Sequence, residues 1–243
     1  MDAILVRERY KVVRVTDSRE DYAFAEAVDI LDREMPGCLL NLYEGPLLRR
    51  YLPYFHQMEG FAALQGIFLD GKSLVAVSRD CGGVPIDQVF FLGDSHGWRE
   101  RLYYAGELCR QVLNLADVAP DVACALLLSD NVRVDEKDRR ICLRFHVLPM
   151  EGMNGREAVY LAGDQIYKIL HPRMSSPREE LTFLDELRAG QCVSVVQLYS
   201  LWRSWEEKIR QAYEAMEKKN FIRRWFGLLL GRIRWKAERR KRR

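Results

Sequence analysis

The apolar positions of this chain change period part-way along it. Up to Ser78 they fall in short, strand-length runs with one helical interval. Beyond Trp98 they recur mostly at steps of three and four. Leu39–Tyr43 reads as a strand, and Leu47–Met58 as a helix. Leu64–Leu69 and Ser73–Ser78 read as two strands joined at Asp70-Gly71, a dipeptide that favours a hairpin turn. Trp98–Leu115 has the spacing of a long helix. Val132–Asp135 and Ile141–Phe145 read as a strand pair with its turn at Asp135–Arg139. Residues 156–170 are again helical, through Val159, Ile166, Ile169 and Leu170. Ser176-Pro177 with Glu179 predicts an N-cap, a first-turn proline and a capping-box carboxylate. The helix that follows has Leu181, Leu184 and Leu187 on one face and ends at Gly190.

A longer helix is predicted from Val195. Leu198, Trp202, Trp205, Ile209, Ala212 and Met216 form a stripe at steps of three and four. Such a stripe either packs on the chain's own helices or, through Leu198, Trp202, Trp205 and Ile209, joins a second copy. Residues 220–243 then carry ten basic residues and one acidic residue, whereas the whole chain has a net charge of only +3. An acidic body therefore bears a basic arm. Phe221, Ile222, Trp225, Phe226, Leu229, Leu230 and Ile233 occupy about half of a helical wheel, with Arg223, Arg224 and Arg234 opposite. This combination suits an anionic membrane surface, with Arg223, Arg224, Trp225, Phe226, Leu229, Arg232, Arg234 and Trp235 as the binding residues. Arg239–Arg243 would also attract nucleic acid, although that leaves the aromatic residues and leucines unexplained. The third reading packs the apolar face on the body and leaves the basic end in solvent.

Two segments carry a family resemblance. The order, spacing and apolar pattern of Arg9–Tyr43 and Cys124–Val147, with landmarks Arg9-Tyr10 and Asn131, resemble the opening strands and catalytic loop of the protein-kinase superfamily. The resemblance implies an α+β fold with a small antiparallel-sheet lobe and a helical lobe. The lobes would be residues 1–83 and 84–219, meeting at a hinge over Arg79–Gly83, with the degenerate catalytic loop at 124–147 and the arm at 220–243. Phosphoryl transfer in kinases needs a glycine-rich loop, a strand lysine, a catalytic aspartate and a metal-binding aspartate. The stretch from Val15 to Phe24 has no glycine and carries Asp17, Glu20 and Asp21, which repel a triphosphate. On this alignment the lysine falls on Asn41, the catalytic aspartate on Leu126 and the metal-binding aspartate on Arg144, with Asn131 retained. The implied protein is a pseudokinase, a signalling scaffold that binds a protein partner and uses no cofactor or metal. The alternative is an enzyme with unconventional nucleotide chemistry, for which Asp80, Asp94, Asp130 and Asp135 offer carboxylates. In plan the chain is also similar to the type VII secretion subunit that begins with a pseudokinase domain, but arginines interrupt its apolar segment.

Composition changes this picture little. Apolar residues make up 48% of the chain and charged residues 30%, ordinary for a folded protein. The six cysteines include no Cys-x-x-Cys, and most sit in apolar runs, which predicts reduced, buried thiols and a cytoplasmic, peripherally membrane-bound protein. Residues 1–10 do not read as a signal peptide. His56, His96, His146 and His171 are dispersed, without metal-ligand spacing.

Overall fold

The computed structural model describes residues 4–34, 37–219 and 221–242, except for the side chains of 221–226 and 238–242. It is a mixed α+β structure. In chain order the elements are β1 (Leu5–Val6), β2 (Tyr10–Arg19), β3 (Tyr22–Asp29), β4 (Gly37–Tyr43), α1 (Gly45–Gln57), β5 (Leu64–Asp70), β6 (Ser73–Arg79), β7 (Val84–Pro85), α2 (Ile86–Val89), α3 (Trp98–Leu113), α4 (Pro120–Leu126), β8 (Val132–Asp135) and β9 (Arg140–Leu143). Four longer helices follow: α5 (Gly155–Ile169), α6 (Arg178–Arg188), α7 (Val195–Glu217) and α8 (Phe221–Arg242). The chain divides into two compact units. The first gathers residues 1–83, 117–133 and 142–154, and the second gathers 84–116, 134–141 and 155–243. Residues 117–133 and 142–154, which the sequence reading assigns to the helical part, fold with the sheet instead.

The first unit is built on an antiparallel sheet in the order β1-β2-β3-β4-β6-β5. Its central strand, β4, is buried on both faces, so alternation sorts its side chains between two cores. Cys38 and Leu40 join Tyr10, Ala25, Ala27, Val75 and Val77 on one side. Leu39, Asn41 and Tyr43 point to the other, where Tyr43 stacks on Tyr51 of α1 at 4.4 Å. The β5–β6 hairpin turns at Gly71, whose φ of 58° is left-handed and suits a residue without a Cβ. The turn from β2 to β3 has only two residues between the paired Arg19 and Tyr22.

The second unit packs α7 against α3, α5 and α6. Leu198, Trp202 and Ile209 of the stripe are fully buried there, and Trp202 meets Phe183 edge-on at 5.5 Å. Trp205 is partly buried and donates its indole N–H to Glu186 at 2.8 Å. Leu198, Trp202 and Ile209 of the stripe therefore lie in the unit's own interior. The start of α6 differs from the sequence expectation: its N-cap residue is Pro177, not Ser176. Ser176 instead donates its hydroxyl to Glu180 at 2.8 Å and accepts the amide of Arg173 at 2.9 Å. The buried face of α6 includes Phe183 as well as Leu181 and Leu184, and Gly190 follows the helix with φ 65°.

Candidate functional site

In the first unit, the four positions that the resemblance equates with phosphoryl-transfer groups are all in structural use. Asn41 is buried in the middle of β4, flanked in the sheet by Phe24 and Ala76. Its amide behaves like one more backbone unit of a ladder. Nδ2 donates to the Phe145 carbonyl at 2.7 Å, and Oδ1 accepts the Val147 amide at 2.9 Å and the Tyr22 hydroxyl at 3.1 Å. Tyr43, two residues on and therefore on the same face, donates its hydroxyl to the Val147 carbonyl at 2.6 Å. Together the two side chains clasp residues 145–147 to the sheet. A lysine could donate to a carbonyl here but has nothing to accept the Val147 amide.

Asn131 has a similar task. Its Nδ2 donates at 2.7 Å to the carbonyls of both Ala125 and His146, tying the end of α4 to the strand exit. Its backbone carbonyl accepts the Arg144 amide at 2.7 Å. Leu126 is fully buried in the last turn of α4. It presents no proton acceptor and is core.

Arg144 is turned to carboxylates rather than left bare. Its guanidinium pairs with Glu26 at 2.5 Å, lies 3.7 Å from Asp80, and sits over the Phe24 ring at 5.4 Å. Beside it, His146 stacks on Phe24 with 4.0 Å between ring centroids and 16° between planes, and more loosely on Tyr22. Burial lowers the His146 pKa, against the raising effect of Asp17, whose carboxylate is 3.8 Å from Nε2. The imidazole is therefore neutral near pH 7. Phe24 is completely buried and Phe145 nearly so, edge-on to Phe61. Aromatic rings and bonded amides thus fill the centre, where Glu26 and Asp80 face the Arg144 guanidinium and Asp17 is paired with Arg19. Nothing in this arrangement offers a positive cradle for phosphates. Sequence reasoning picked out Asn41, Asn131 and Arg144 but missed Tyr22, Phe24, Glu26 and His146. Their only local signal is the strand alternation that puts Tyr22, Phe24 and Glu26 on one face of β3.

The second unit contains a buried polar knot. Asp94 accepts from Arg101, from Arg173 at 2.9 Å and from the His96 amide at 2.9 Å. Burial works against the Asp94 charge, but these donors overcome it and hold its pKa below the usual carboxylate range. Glu180 accepts from Ser176 and from Tyr213, and burial pushes its pKa up to about 7. The knot fastens α3, α6 and α7.

The predicted arm residues divide. Arg223, Arg224, Trp225 and Phe226 lie on α8, but their side chains fall outside the described residues. Arg232 donates to the Arg173 carbonyl at 2.6 Å, and the Trp235 indole donates to Asp185 of α6 at 2.5 Å. These two face the body. Leu229 and Arg234 face outward with Leu230 and Ile233, the three apolar residues being 43–56% exposed.

Among the described residues no helix is long and apolar enough to cross a membrane. No group of three or more His, Cys, Asp or Glu side chains among them is placed to hold a metal ion. No protein-family model matches the chain, and no curated protein matches it.

Proposed function

We propose that the chain is a catalytically inactive, kinase-like scaffold that binds a protein partner at an anionic membrane surface. The carrying observation is the Phe24–His146 stack beside the Asn41 clasp. Side chains that would hold and activate a nucleotide are replaced by groups that hold the protein to itself. Support for the kinase-like relation comes from element order: a strand hairpin, a third strand, a helix packed on the sheet, a second hairpin, a long helix, and a strand pair just after Asn131. Thermal melts with ATP and magnesium test the inactive reading. The expected result is no shift and no transfer of labelled γ-phosphate. A magnesium-dependent shift, with transfer lost in Asp130→Asn, supports an enzyme instead.

For the membrane, the supporting observation is the exposed Leu229, Leu230 and Ile233 face on a helix of strongly basic sequence. Full-length protein should sediment with phosphatidylserine vesicles and not with neutral ones. The Leu229→Glu/Leu230→Glu/Ile233→Glu variant should lose that binding. Duplex DNA binding with a steep salt dependence, and indifference to vesicles, would favour a nucleic-acid partner.

A further inference from the structure

Two cysteines far apart in sequence meet in the first unit. Cys81 follows β6, and Cys142 lies in β9, 61 residues later. The Cys142 thiol donates to the Cys81 carbonyl at 3.6 Å, and the Cys81 thiol donates to the carbonyl of Gly82 at 3.7 Å. Both are partly exposed, whereas Cys38, Cys109 and Cys124 are buried. The backbone beside Cys81 is adaptable, because Gly82 and Gly83 both have left-handed φ values, 67° and 69°. A strand thiol that already reaches the backbone of a cysteine on an adaptable loop needs little loop movement to reach disulfide geometry.

We propose that Cys81 and Cys142 form a dithiol–disulfide site, oxidised by low-molecular-weight disulfides of the glutathione type. One thiol loses its proton and attacks oxidised glutathione, forming a mixed disulfide and releasing one glutathione thiolate. The second thiol, deprotonated in turn, attacks the protein sulfur of that mixed disulfide and expels the second glutathione. The two protein protons end on the two glutathiones, and two electrons pass from the cysteine pair to the oxidant. The product ties the Asp80–Gly83 loop to β9 and closes a loop of 61 residues. Hydrogen bonding to Cys142 and burial hold the Cys81 thiol well above its ordinary range. The exchange is therefore slow at neutral pH and faster toward pH 9.

The test treats the full chain with oxidised glutathione at pH 8.5, then alkylates it and maps its tryptic peptides without reduction. Peptides 80–99 and 141–144 should appear joined, without retained glutathione, and dithiothreitol should separate them. Oxidation should raise the melting temperature of the first unit by roughly 5 °C, reversibly. In Cys142→Ser, glutathione should stay on Cys81, because the resolving thiol is gone. Stable glutathione adducts on the native chain, an unmodified pair, or Cys81 joined to a different cysteine would overturn the proposal.

Discussion

Replacing Asn41 by alanine tests whether its carboxamide holds residues 145–147 to the sheet. The substitution deletes three hydrogen bonds and leaves their partners buried. The Phe145 carbonyl loses its 2.7 Å donor, while the Val147 amide and the Tyr22 hydroxyl lose their acceptor. Phe145, Val147 and Tyr22 are each at most 3% exposed, so water does not replace what is lost. An orphaned buried polar group costs about 1–3 kcal/mol, and two backbone groups plus one hydroxyl bring the total to about 4 kcal/mol. That is a large fraction of the stability of an ordinary domain. In urea it moves the midpoint of the first unit down by roughly 2 M. The probe must be chosen for that unit. All five tryptophans, at positions 98, 202, 205, 225 and 235, belong to the second unit. The Val147 amide lies in the first unit, and its exchange reports on the clasp itself. Protection at Val147 should fall by about a thousandfold. Asn41→Lys, which places here the lysine that the proposed kinase resemblance would call for, should be equally destabilised, with no gain of nucleotide binding. A loss below about 1 kcal/mol in Asn41→Ala, or ATP binding in Asn41→Lys, refutes the reasoning.

Three further outcomes follow from other groups. Phe24→Ala empties the fully buried ring position against His146 and should cost the first unit about 3–5 kcal/mol in urea melts. The same change opens His146 to solvent, so its pKa, followed by NMR, should rise toward the ordinary 6.5. Glu180 keeps its proton in the folded state up to about pH 7 but loses it near 4.5 when unfolded. Stability of the second unit should therefore decline between those values by on the order of 3 kcal/mol. Glu180→Gln should remove that slope, as tryptophan-monitored melts at pH 5 and 7.5 would register. Trp235→Phe removes the bond to Asp185. Hydrogen exchange along α8 should speed up, with a loss of about 1 kcal/mol or less in overall stability.

Elements set by local pattern were legible in the sequence, and groups set by distant partners were not. The Asp70-Gly71 turn, the helix from Val195 and its buried stripe follow from spacing alone, because turn chemistry and helical period act over a few residues. Ser176 shows how even a local signal is overridden. A serine before a proline and an acidic run reads as a cap, yet Glu180 and Arg173 compete for its hydroxyl in a buried place where an unmet carboxylate would be costly. The arm shows the same competition. An apolar half-wheel with arginines opposite suits a membrane surface, yet the same face can pack on the body. Bonds from Arg232 and Trp235 divide the helix, with one side docked and the leucine side left outward.

Asn41 is the most instructive case. Read in sequence it is a missing lysine, a loss. In the structure its carboxamide, a donor and an acceptor on one planar group, bonds to residues 104 and 106 positions away. No lysine has both functions, so a lysine at this position would release the 145–147 segment. Arg144 is held by its pairing with Glu26, and Phe24 fills the space beside His146. Changing any one of these residues disturbs its bonded or stacked neighbours, at a cost to folding. Asn41, Arg144, Phe24 and His146 are thus parts of one arrangement that ties residues 144–147 to the sheet.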